Sequence, residues 1–73
     1  MTSGTSETVA KIEQFLAPYG REIRLHDVSY ETGLNLLRIT IKEGRRITVI
    51  EIDAETAAHW SRSMADWAAR SAR

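Results

Sequence analysis

The residues of this chain that invite a chemical reading are few. His26, Asp27 and Glu31 stand close together, and His59 lies further on. Imidazoles and carboxylates serve as general acids, general bases and metal ligands. Their spacing here matches no ligand pattern or catalytic motif. His59 follows Glu55 by one helical turn, the separation of an ordinary exposed helix pair. With no cysteine, thiolate metal sites, disulfides and thiol nucleophiles are excluded. No glycine-rich phosphate loop occurs, and the serines and threonines read as caps, turn residues and strand surface. Seventy-three residues leave little room for a walled pocket. We therefore expect no catalytic residue, no metal, no cofactor and no small-molecule substrate, that is, a protein that is not an enzyme.

Two further groups could bind. Arg45 and Arg46 stand just past a glycine in "IKEGRRITVI", where basic side chains could meet nucleic acid. Adjacent strand residues point to opposite faces, so only one of the two can belong to any single surface. Glu43 lies beside them, and exposed arginines at a tip ordinarily serve solubility and edge protection. Trp60 and Trp67 could stack on bases or ligands. At helical spacing, with Met64 between them, they read as core.

Charge and length limit the partners. Ten basic and ten acidic residues balance, so the molecule is no polyelectrolyte for nucleic acid or an anionic membrane. No stretch is long and apolar enough to span a bilayer, and "MTSGTSE" lacks the basic start and apolar run of a signal peptide. The expectation is a cytoplasmic protein. Arginine far outnumbers lysine, which suggests a GC-rich bacterial genome. The chain is one small domain, 1–73, with 1–5 and 71–73 frayed. A chain this short buries little on its own, which raises the prospect of a partner or of a second copy.

The elements that must position these residues follow from periodicity. Thr5 or Ser6 can cap a helix carrying Val9, Ile12, Phe15, Leu16 and Tyr19 as one apolar stripe, ended by "APYG". "REIRLHDVSY" is a strand whose apolar phase changes after His26, so either a bulge sits at His26–Asp27 or the sheet buries side chains on both faces. "ETG" is a turn with Gly33 free to take positive φ. "LNLLRITIK" and "RRITVIEID" form a hairpin. A three-residue Lys42–Glu43–Gly44 loop sets Ile39 opposite Ile47 and Leu37 opposite Val49, with Leu36 opposite Ile50 and Leu34 opposite Ile52 on the reverse face. Asp53 caps a last helix with Glu55 in its first turn and Ala57, Trp60, Met64 and Trp67 as its apolar stripe.

The expected architecture is α+β in the order α-β-β-β-α, a three-stranded antiparallel meander with both helices on its Leu37/Ile39 face. Leu34, Leu36, Ile50 and Ile52 then stand uncovered on the other face, rimmed by Arg38 and Arg46. These six are the candidate interface, and the expected partner is a protein, most simply a second copy in a homodimer.

The element order and length resemble those of the double-stranded RNA-binding domain, which makes an RNA-binding module the alternative. That family reads phosphates with lysines at the start of its second helix, where this chain has the acidic "DAET", and its Gly-Pro-x-His turn is absent from "ETG". Nucleic acid is therefore the less favoured partner. Separately, "FLAPYGREI" followed by "IKEGRR" resembles a group of small uncharacterised proteobacterial proteins that span roughly the whole chain. That resemblance implies no activity.

Overall fold

A computed structural model describes residues 6–72. Four strands run up and down in chain order: β1 (Glu7–Ala17), β2 (Arg21–Tyr30), β3 (Asn35–Glu43) and β4 (Arg46–Ile52). All neighbours are antiparallel, and one helix, α1 (Ala54–Ser71), follows. The order is thus β-β-β-β-α. The expected three strands and two helices are corrected to four strands and one helix.

The correction falls on the first element. Val9, Ile12, Phe15 and Leu16 lie on β1, where the pairing with β2 shifts between Lys11 and Glu13. Ile12 is the extra residue of a β-bulge. Before it, Val9 and Lys11 share a face with Val28 and His26; after it, Gln14 and Leu16 take that face while Phe15 takes the other. A bulge breaks the alternation of two and leaves apolar residues three and four apart, which imitates a helical stripe. As a strand, the segment also satisfies the backbone groups along an edge of β2, whereas a helix here would leave that edge open. Pro18, Tyr19 and Gly20 form the β1–β2 loop rather than a helix end, with Tyr19 and Gly20 at φ of 68° and 73°. Of the two residues offered as a first cap, Thr5 lies outside the described residues. Ser6 extends the hairpin, its carbonyl accepting from the Glu31 amide at 3.1 Å.

β2 is regular, with no bulge at His26–Asp27. Its change of phase is the two-sided sheet: Ile23 and Leu25 point to one face and Val28 and Tyr30 to the other. Gly33 takes φ of 94° in the turn before β3, as "ETG" implies.

The β3–β4 register is also corrected. Glu43 pairs with Arg46 across a two-residue Gly44–Arg45 loop, with Gly44 at φ of 58°. Ile39 then lies opposite Ile50 and Leu37 opposite Ile52, not Ile47 and Val49. The shift is odd in length, so every β4 side chain changes face. Both loops give Gly44 a positive φ. The shorter one sets Glu43 opposite Arg46 in the ladder, while the Glu43 carboxylate accepts from Arg21 on the other side. Its consequence is that Ile47 and Val49 face Lys42 and Thr40 and stay exposed.

α1 begins as the sequence indicates. The Asp53 carboxylate accepts from the Thr56 amide at 2.9 Å, which holds its pKa below the ordinary range, and Glu55 sits in the first turn. Asp53→Ala should cost about 1 kcal/mol, read as a lower urea midpoint. Only Val28 is fully buried among the described residues.

Candidate interaction surface

The register divides the sheet into two chemically distinct faces. One face carries rows running across the strands: Phe15, Ile23, Ile41 and Thr48; then Glu13, Leu25, Ile39 and Ile50; then Ala10, Asp27, Leu37 and Ile52. Only Asp53 separates β4 from α1, so the helix starts at the Ile52 end and lies against β3. Its first half covers part of this face. Leu25, Leu37, Ile39 and Ile52 from the sheet and Ala57, Trp60, Ser61 and Met64 from the helix line a groove of about 200 Å³.

The cover is incomplete. Further along the helix, Trp60, Ser63, Met64, Trp67 and Ala68 line an open concavity of about 450 Å³ to which the sheet contributes no wall. Trp60 is 39% exposed and Trp67 62%. Phe15 and Ile50 are likewise exposed on the sheet. The tryptophans do share a helical stripe, but within one chain that stripe is an uncovered surface rather than a finished core.

The bare face is built differently. Arg38 donates from Nε to Glu51 at 2.7 Å and from an Nη to Glu7 at 3.1 Å, and the Tyr30 hydroxyl donates to both Glu51 oxygens at 2.9 and 3.1 Å. The network ties all four strands together. Beside it, Arg24 and Gln14 both donate to Glu22. Val28 lies on this face with Val9 and Leu36 as cross-strand neighbours. Sequence reading misses the network because it depends on register, although the even-numbered polar residues of β2 and β3 carry its trace.

The network has a pH signature. The hydrogen bond from Arg38, and then that from Tyr30, hold the Glu51 carboxyl below its ordinary pKa of 4.5. The Arg38 guanidinium is held protonated, chiefly by Glu51, and the Tyr30 phenol is pushed up by the same carboxylate. A carboxyl depressed by folding stabilises above its unfolded pKa and loses that contribution as pH falls. Stability should therefore decline on acidification below about pH 4.5. Glu51→Gln should flatten that decline, as followed by urea midpoints from about pH 6 to 3.

The six candidate interface residues are not brought onto one face. Ile50, Ile52 and Arg46 lie on the helix-bearing face, Leu36 and Arg38 on the bare face, and Leu34 is exposed in the β2–β3 turn. Arg38 belongs to the strand-spanning network rather than to an apolar rim. Arg46 pairs across β3–β4 with Glu43, while Arg45 sits in the loop. Nor do the acid–base candidates converge. His26 is on the bare face, and Asp27 is on the other, accepting from the Asn35 amide at 2.8 Å. Glu31 stands in a turn and His59 on the exposed helix. Among the described residues no three His, Asp or Glu side chains group as a metal site, and no helix is long and apolar enough to cross a membrane.

No curated protein and no solved structure matches the chain. A family profile covers residues 6–70, almost the whole sequence, and by that match the chain belongs to the family of unknown function DUF6967.

Proposed function

We propose that the chain is a non-enzymatic protein-interaction domain, adaptor or regulatory in kind, whose contact surface is the helix-bearing face. One observation carries this: the face holds an apolar strip of Ile23, Leu25, Leu37, Ile39 and Ile41 and an amphipathic helix, yet Phe15, Ile50, Trp60, Met64 and Trp67 remain exposed. Uncovered apolar surface of this extent, with aromatic residues at its centre, is characteristic of protein contacts. The bare face supports the same reading from the opposite side, because its central charges are paired within the chain. No cofactor is needed. The RNA-binding alternative takes its element order from α-β-β-β-α, which the chain does not adopt, and the net charge of zero offers no field for phosphate.

A photo-crosslinking amino acid placed at Trp67 and, as a control, at Lys42 on the bare face tests the proposal in living cells. The Trp67 position should give a discrete protein adduct, identifiable by mass spectrometry, and the Lys42 position should not. No adduct at Trp67, or equal labelling at both, would overturn it.

A further inference from the structure

Resting on that proposed contact surface, we infer that its occupant is a second copy of this chain, seated so that the end of α1 of each protomer covers the open part of its partner's sheet. The first support is area. A compact chain of 8.2 kDa should expose about 4,500 Å². This one exposes 5790 Å². The difference, about 1,300 Å², is a whole-chain figure to which Val9, Leu16, Ile47 and Val49 on the bare face also contribute, and the roughly 800 Å² that each partner gives to a standard stable interface fits within it. The radius of gyration agrees, at 14.9 Å against about 11 Å for a compact domain of this length.

The second support is that the chain carries two unmet halves that fit each other. The last turns of α1, with Trp67 and Ala68, carry apolar side chains that line no groove with the sheet, whereas Met64 lines both concavities. The row Phe15–Ile23–Ile41 towards the hairpin tips is apolar sheet and does not line the groove beneath the helix. One chain cannot join these halves, because the first part of α1 is already anchored over Leu37 and Ile52 beside β4. Two chains related by a two-fold axis join them twice. The result is a core of two helices between two sheets, and it closes at two copies without a surface left over for a filament.

Charge permits this. The formal net charge is zero, so two copies meet without long-range repulsion. The row beyond Phe15 and Ile41 carries Arg21, Glu43 and Arg46, with Arg21 and Glu43 ion-paired at 2.6 Å, which gives the apolar patch a charged border.

Reciprocal seating makes a specific test possible. Phe15→Asp and Trp67→Lys are each made in the full chain and measured by light scattering at about 50 μM, with circular dichroism to check the fold. Wild type should have twice the 8.2 kDa chain mass. Each variant alone should keep its fold and shift toward the single-chain mass on dilution, its dissociation constant raised about 30-fold or more. An equimolar mixture should regain the double mass as a one-to-one heterodimer, because one contact then pairs Asp with Lys and the other keeps Phe against Trp. A single-chain wild type, variants that remain dimeric, or a folded mixture that stays monomeric would each overturn the inference. Should either variant unfold alone, Phe15→Ser and Trp67→Ser replace them, and one of these keeping its fold and the double mass would be equally fatal. A monomeric wild type that still crosslinks to another protein through Trp67 would sink self-pairing and leave the interaction role standing.

Discussion

Val28→Asp should remove a large part of the stability of the fold. Val28 is 0% exposed, with Val9 and Leu36 opposite it on the two flanking strands and Glu7, Tyr30 and Arg38 at adjoining positions of the same face. A carboxylate placed there loses its water, and Arg38 is already engaged with Glu51 and Glu7. An uncompensated buried charge costs about 3–5 kcal/mol. A domain of 73 residues has a total stability of about 4–11 kcal/mol. The urea midpoint, followed by far-UV circular dichroism, should therefore fall by roughly half. Val28→Thr is the graded control: similar in shape, with one hydroxyl to satisfy, it should cost about 1–3 kcal/mol and stay folded. An unchanged urea midpoint for Val28→Asp would mean that the bare face is not closed over this residue.

The two tryptophans should separate in their effects. Trp60 lines the groove against Leu25, Leu37, Ile39 and Ile52, so Trp60→Ala removes both transfer energy and packing under the helix. For a ring still 39% exposed the loss should be about 2–3 kcal/mol, below the 3–5 typical of a fully buried aromatic. Trp67 is 62% exposed and does not line the groove against its own sheet. Trp67→Ala should change the stability of the dilute single chain by less than about 1 kcal/mol. Its effect should appear only where chains associate, as a loss of the concentration dependence of the urea midpoint. Equal destabilisation by both substitutions at high dilution would show that α1 packs along its whole length within one chain.

The helix, its cap and its apolar stripe were legible because Asp53, Glu55 and the spacing from Ala57 to Trp67 are all local signals. The two-sided sheet was legible in β2, where the phase change after His26 has a single physical meaning once β2 proves regular. Two things were not. β1 reads as a helix because the bulge at Ile12 turns a period of two into spacings of three and four. The β3–β4 register was ambiguous because Gly44 serves either a two- or a three-residue loop, and local pairing favours the loop that matches more apolar residues. The folded chain instead puts its apolar pairs on one face and leaves Ile47 and Val49 uncovered. The candidate interface inherited this error: Leu36 and Ile50 were grouped by a register that the chain does not use.

Tryptophan accessibility is the most direct measure of whether the helix-bearing face is closed by a second copy. The chain has only Trp60 and Trp67, and both line the open concavity on α1. Acrylamide quenching of purified wild type should be weak, with blue-shifted emission, at about 50 μM. It should strengthen toward that of exposed indole as dilution separates the chains. Strong quenching that is the same at every concentration would contradict it.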